Sequence, residues 1–380
     1  MNKYTRFTFP VGYHKFHKKQ VFNFQLNRWH SLGYARFEDM KEAGQQIKTF
    51  EDWKTEMLHL AAKAEEENRW MNAAFYYRAA EFYILKDNDE KRQLYDKFIA
   101  LFYKAFKNDA IEKYEVPYQD GFLPVMKIAP NASEKKGTIV IHGGFDSFIE
   151  EFYSWITYFS DQGYEVIAFE GPGQGGARRK YDLAFTLEWE KPAKAILDYF
   201  KLDDVTWIGI SMGGWLCFRA AAYEKRIKRV IASSIAYDYM KGYNVIIRVS
   251  HSYFIKHMRD YSNKMILKQL KKGGMQAWMA AQLMYITKND MPVDAFQVWM
   301  DLNEQNLKSE LVDQDVLILT GRDDHFIPFK SHAMQVNALT NVKSLTPIVF
   351  TKETHANNHC QIGNMNLALS TMVKWIEEKQ

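Results

Sequence analysis

The stretch Val205-Thr206-Trp207-Ile208-Gly209-Ile210-Ser211-Met212-Gly213-Gly214 decides how this chain of 380 residues reads. A β-branched and aromatic run ends in G-x-S-x-G and passes straight into Trp215–Tyr223, whose pattern is helical. Strand, sharp turn and helix in that order are the setting of a nucleophile elbow. Glycines two before and two after the serine let the backbone turn without a Cβ clash. The serine then stands at the tip with its Oγ exposed, and the Met212 amide points to where an oxyanion would form. The same hexapeptide also fits a Gly-Ser turn that merely packs a helix, so its neighbours along the chain must choose between the two readings.

Outward from this stretch, strands alternate with helices. Upstream, Tyr114–Tyr118 and Leu123–Ile128 flank Gln119-Asp120-Gly121 and read as a hairpin. Then follow the strand Thr138–Ile141, a helix near Glu150–Asp161, the strand Glu165–Phe169 and a helix near Leu187–Phe200. Downstream come the strands Arg229–Ser233 and Val316–Leu319, a helix near Lys330–Leu339, the strand Pro347–Phe350 and a closing helix Asn364–Glu378. The pattern predicts an α/β fold, a mostly parallel sheet covered by helices on both faces. Residues from about 238 to 311 interrupt the rhythm with a helical stretch rich in Met and aromatics, read as a cap over the catalytic edge. Ahead of the sheet, the pattern from about Ser31 to Lys107 is helical, with apolar residues such as Trp53, Met57, Leu60 and Ala64 three or four apart. Residues 1–112 are therefore expected to form a helical N-terminal domain and residues 113–380 the α/β domain. The helix around Trp70–Phe82 looks faintly like a tetratricopeptide helix, but no second copy follows at a fixed period, and a repeat array is rejected.

A serine hydroxyl is a poor nucleophile at neutral pH. It needs a base to take its proton and an acid to hold that base. The run Val316–Leu319 leads into Gly321-Arg322-Asp323-Asp324-His325, which places Asp323 and Asp324 at the C-terminal end of a strand, where sites in open α/β sheets gather. Asp238, after the preceding strand, is the reserve acid. For the base, His355 and His359 both follow the last strand and precede the last helix; His359, nearer the helix start, is preferred, with His355 left as a loop or substrate-contact residue. The second oxyanion donor is expected after Ile139-Val140-Ile141, where His142-Gly143-Gly144-Phe145 offers the amide of Gly144 or Phe145. His142 is read as structural.

Gly171-Pro172-Gly173-Gln174-Gly175-Gly176 also satisfies G-x-G-x-x-G, with Glu190 as a possible ribose acid. Its context is wrong for a dinucleotide. It does not follow the first strand, and Pro172 removes a backbone donor within the turn. Arg178-Arg179-Lys180 is read as a solvated loop in preference to an anion site, and so is His14-Lys15-Phe16-His17-Lys18-Lys19. No H-E-x-x-H or C-x-x-C spacing occurs, and neither metal nor cofactor is expected.

Composition agrees with an enzyme that handles an apolar small molecule. Phe, Tyr and Trp number 26, 22 and 10, enough to build bulky cores and to line an apolar cavity. A net charge of +4 with interspersed signs argues against nucleic acid. Cys217 and Cys360 make no disulfide framework, which fits a reducing cytoplasm. Met1–Arg6 lacks an apolar h-region and no run approaches about 18 apolar residues, so neither secretion nor a membrane partner is expected.

Over roughly residues 114–380 the chain resembles the α/β-hydrolase superfamily, on His142-Gly143-Gly144, Glu170-Gly171-Pro172-Gly173-Gln174-Gly175, Gly209–Gly214, Gly321-Arg322-Asp323-Asp324 and His359-Cys360-Gln361. More narrowly it is similar to the branch of 2,6-dihydroxypseudooxynicotine hydrolase, the fungal polyketide-shortening pigment hydrolases and the fermentation-respiration switch esterases. The resemblance implies Ser211 as nucleophile, Asp324 rather than Asp323 as orienting acid, His359 as base, a dimer, and a cavity between the helical part and the sheet. Members hydrolyse esters or carbon–carbon bonds next to ketones. The reading is thus a cytoplasmic serine hydrolase of an apolar or aromatic carbonyl compound, most simply a carboxylic ester. A carbon–carbon bond hydrolase is second and an acylaminoacyl-peptidase third. A non-enzymatic binding protein is the reading of a different class, and the intact Ser, Asp and His argue against it.

Overall fold

The computed structural model describes residues 7–242 and 244–380; the expectation drawn from Met1–Arg6 lies outside them. Five strands are mainly apolar and are buried at almost every position on both faces, as a central parallel sheet requires: β3 Gly137–His142, β4 Tyr164–Phe169, β5 Val205–Ile210, β6 Ile227–Ser233 and β7 Asp315–Gly321. They are flanked by β1 Glu112–Tyr118 and β2 Gly121–Ile128, which form the expected hairpin, and by β8 Ser344–Phe350. The eight strands lie in the order β1-β2-β4-β3-β5-β6-β7-β8. Among the described strands, β2 alone runs antiparallel to the other seven.

Because side chains alternate across a strand, the sheet feeds two cores. Val140, Trp207, Val230, Val316 and Ile318 face one of them, covered by the helices Glu190–Tyr199 and Gly213–Tyr223. Ile139, Ile141, Ile208, Leu317 and Leu319 face the other. There they meet the helices Tyr153–Asp161 and Met365–Lys379 and the N-terminal helices α1 Gln20–Ser31, α2 Phe37–Gln46, α3 Phe50–Glu66, α4 Trp70–Phe82 and α5 Asp89–Ala105. The N-terminal helices and one face of the sheet therefore share a continuous apolar core.

Helix α1 begins eleven residues before the helical pattern that was read from Ser31. Nine of its twelve residues are buried, among them Asn23, Gln25 and Asn27, so it has no polar stripe to show a period. The patch around His14–Lys19 is corrected as well. Phe16 and His17 are buried, and His17 Nε2 bonds the Ile47 carbonyl at 2.9 Å; only the lysines remain outside. Between β6 and β7 the interruption is helical as expected, with helices α6 Val245–His257, α7 Arg259–Leu270, α8 Met275–Thr287, α9 Pro292–Asp301 and α10 Glu304–Leu307, numbered onward from the N-terminal five. It is tied to the N-terminal helices through Trp278, which stacks on Phe82 with centroids 4.9 Å apart and donates its indole N–H to the Phe82 carbonyl at 2.6 Å.

Candidate active site

Ser211 follows β5 in the left-handed region at φ 61°, a conformation that costs a non-glycine residue energy and marks a constrained turn. The turn is held by the Ser211 amide, which donates to the Ser233 carbonyl at 2.9 Å, and by the Gly214 amide, which donates to the Ser211 carbonyl at 2.8 Å. Close approach explains Gly209: a Cβ there would sit 1.9 Å from the Gly213 carbonyl oxygen. Gly209→Ala is accordingly expected to prevent the turn from forming, seen as a large fall in thermal midpoint.

His359 is carried on the loop between β8 and the last helix. Its Nε2 lies 2.9 Å from Ser211 Oγ and its Nδ1 2.7 Å from Asp324 Oδ2. Asp324, beyond the end of β7, is fully bonded: Oδ1 accepts from the amides of Phe326 and Ile327, and Oδ2 also accepts from Ser234 Oγ. Burial opposes its ionisation, but His359 and these donors outweigh it and hold the carboxyl below its ordinary value. For His359, burial alone pushes the pKa down; the Asp324 carboxylate more than reverses this and holds it well above the ordinary histidine value.

The other candidates have no bond to Ser211 or His359, although Asp238 lines the same cavity. Asp323 is exposed and accepts from Asn357 Nδ2. Asp238 caps a turn by accepting from the amides of Met240 and Lys241. His355 is an exposed loop residue at φ 59°. His142 is buried, with Nδ1 against the Gly143 carbonyl, and burial pushes its pKa down to about 4.

The loop after β3 comes up beside the elbow. A Cβ on Gly144 would lie 2.7 Å from the Met212 nitrogen, so the two backbones are in direct contact. Among the described residues, no acceptor is bonded to the amides of Met212, Gly144 or Phe145. The loop is braced by Gln174, whose Nε2 donates to the carbonyls of Gly143 at 2.8 Å and Gly144 at 3.1 Å. Glu170 accepts from the Ile149 and Gly176 amides. The glycine-rich turn that mimicked a dinucleotide signature thus acts as a splint for this loop, and Glu190 pairs with Arg219.

One correction concerns Arg178-Arg179-Lys180. Arg179 is mostly shielded, its side chain 9% exposed, and is bonded to Glu81 of α4. Arg78, also on α4, bonds Glu81, Glu151 and the Asp146 carbonyl, while Arg28 of α1 pairs with Asp146 and Glu151. Arg179 and Glu81 are 98 residues apart in sequence, which is why local charge patterning reads Arg179 as solvated.

Ser211 and His359 open on a cavity of about 440 Å³ between α1, the cap and the sheet. Its walls are mainly apolar, from Phe24, Leu32, Phe152, Trp155, Trp278 and Trp299. Its polar lining includes Gln25, Arg28, Asp146, Asp238, His325 and Ser331. His325 packs on Phe24 and Phe326 at centroid distances of 4.7 and 4.0 Å, and burial pushes its pKa down to about 4, leaving a neutral ring. Sequence reasoning missed His325 and all of α1. The adjacency of His325 to two acids was a signal; for α1 there was none. Among the described residues no cluster of His, Cys, Asp or Glu has the arrangement of a metal site, and no helix is long and apolar enough to cross a membrane.

Sheet order, the turn after β5 and the residues gathered at the strand ends define an α/β hydrolase. The alpha/beta hydrolase fold family model matches residues 138–356, and the chain belongs to that family and is an enzyme of hydrolase type. It is 28% identical over 333 residues to the alpha/beta hydrolase psoB of Aspergillus fumigatus, covering 75% of this chain and 74% of that protein. It is also 28% identical over 199 residues to the hydrolase acrC of Aspergillus aculeatus, where the match spans 44% of this chain and 46% of the relative. The chain thus spans about half to three quarters of the length of these relatives. Among solved structures, 2,6-dihydroxy-pseudo-oxynicotine hydrolase superposes with a TM-score of 0.66 at 20% identity over 92% of this chain and 94% of that one. AbyA5 does so with 0.69 at 17% identity over 95% of each. Both share the fold.

Proposed function

We propose that the protein is a serine hydrolase of an apolar or aromatic carbonyl compound, most simply a carboxylic ester. The observation that carries this is the unbroken chain of Asp324, His359 and Ser211, with steps of 2.7 and 2.9 Å, opening on an aromatic cavity. Ser211 Oγ attacks the carbonyl carbon while His359 Nε2 takes its proton, and the amides of Met212 and of Gly144 or Phe145 receive the developing oxyanion. His359 then protonates the leaving alcohol, and water repeats the sequence on the acyl-enzyme. Asp324 holds the Nδ1–H tautomer and balances the imidazolium. The dimer implied by the resemblance belongs to this reading and is checked by sedimentation velocity.

Turnover of short-chain p-nitrophenyl esters together with fluorophosphonate labelling tests the proposal. Both are expected in the wild type. Labelling without ester turnover would keep the serine and move the substrate to a ketone cleaved at a carbon–carbon bond. Absence of both in folded protein would overturn the reading.

The pH profile has a defined sign. A base must be neutral to accept a proton, and His359 is held above the ordinary histidine value, so kcat/KM is expected to rise with pH through a midpoint above 6.5. Asp324→Asn, which removes the charge that raises His359, is expected to shift that midpoint downward as well as slow the reaction. A wild-type limb centred below 6.5 would contradict the pairing.

Gly144→Ala tests the oxyanion loop. Its new Cβ meets the Met212 nitrogen at 2.7 Å and the Ile210 carbonyl oxygen at 2.9 Å, so loop and elbow must part. The expected result is a kcat lower by about 10²- to 10³-fold, the cost of one oxyanion donor, with little change in KM.

A further inference from the structure

We infer that α6 and α7 form an arm that docks the enzyme on an anionic phospholipid surface. Of the eighteen large apolar side chains exposed among the described residues, nine fall between Val245 and Leu267. Scattered singly they would mean little; this density, on two consecutive helices, makes a patch. Ile246 is 79% exposed, and Val249 and Tyr253 lie on the same helical face, three and seven residues on. On α7, Tyr261 and Met265 repeat the spacing, and Phe254 stacks on Tyr261 across the helix pair.

Charge identifies the partner. From Val245 to Lys272 there are seven Lys or Arg and a single acid, Asp260, a formal +6 that exceeds the +4 of the whole chain. Lys264, Lys268 and Lys271 recur at helical spacing beside the Tyr261–Met265 stripe, are exposed, and have no ion pair among the described residues. Apolar and aromatic side chains bordered by lysines suit insertion at the headgroup boundary of a bilayer carrying negative lipid. A second copy of the chain fits poorly, because a two-fold contact through this face would set two such positive arms against each other.

The arm's place in the fold adds a reason for the docking. Gly242 just before it and Met275 just after it both line the cavity that holds Ser211. Docking would bring the cavity to the bilayer, where apolar compounds concentrate. This revises the expectation of no membrane partner: the contact is peripheral and needs no spanning helix.

Co-sedimentation of the full chain with vesicles tests the arm and does not depend on the hydrolase reading. Binding is expected to phosphatidylcholine vesicles containing phosphatidylserine, at least ten-fold more than to pure phosphatidylcholine, and to fall at least ten-fold in high salt. Lys264→Gln/Lys268→Gln/Lys271→Gln and, separately, Ile246→Ser/Val249→Ser/Tyr253→Ser should each abolish it while leaving the thermal midpoint unchanged, since all six side chains are exposed. No binding to phosphatidylserine vesicles, or binding that both triple variants retain, would overturn the proposal. So would a wild type that ignores vesicles and sediments as a dimer that Ile246→Ser/Val249→Ser/Tyr253→Ser converts to monomer.

Discussion

Ser211→Ala is expected to lower kcat on p-nitrophenyl esters by on the order of 10⁶-fold and to abolish fluorophosphonate labelling, with the fold and thermal midpoint retained. The size follows from the arrangement. Ser211 Oγ is bonded to His359 Nε2 at 2.9 Å and stands at the turn whose Met212 backbone meets Gly144, so its loss removes the atom placed to attack a carbonyl there. His359→Ala should cost nearly as much, and the double variant little more than either alone, because base and nucleophile act as one unit. Asp324→Asn should cost about 10⁴-fold, since an amide can favour the wrong imidazole tautomer. If instead the two single losses multiplied in the double variant, the residues would be acting independently and the proposed relay would be wrong.

Arg78→Met is expected to be among the most destabilising single changes in the molecule. Arg78 is buried and bonded to Glu81 and Glu151, which are themselves buried. Removing one member of such a set leaves charge stranded in low dielectric, at a cost of about 3–5 kcal/mol, read as a lowered urea midpoint. Activity should fall too, because Arg78 bonds the Asp146 carbonyl at 2.6 Å just beyond the oxyanion loop. The same network has a pH signature. Burial alone would raise the Glu81 pKa, but Arg179, Lys91 and Arg78 outweigh it and hold the group at about 2 against an ordinary 4.5. A depressed folded-state pKa contributes stability that is complete above 4.5 and is lost as pH falls toward 2, so the urea midpoint should decline steadily across that window.

The sequence by itself determined the sheet and the elbow, and it offered Ser211, Asp324 and His359 as candidates beyond the ends of β5, β7 and β8. Each is a local matter: a buried strand must be apolar along its length, a sharp turn needs glycine where a Cβ would strike backbone, and short connections put chemistry at the carboxyl edge. Asp324 was harder, because Asp323 stands next to it; resemblance chose between them, and the structure sets only Asp324 against His359. What only tertiary structure decided are the contacts whose partners lie far apart along the chain. Arg179 turns inward because Glu81 awaits it from α4, and Gln174 braces a loop thirty residues upstream. Helix α1 could not announce itself, since it is wrapped on nearly all sides and its buried Asn and Gln erase the apolar period that exposes a surface helix. The cavity wall is made from that helix and the cap together, so its shape exists only once both have packed on the sheet.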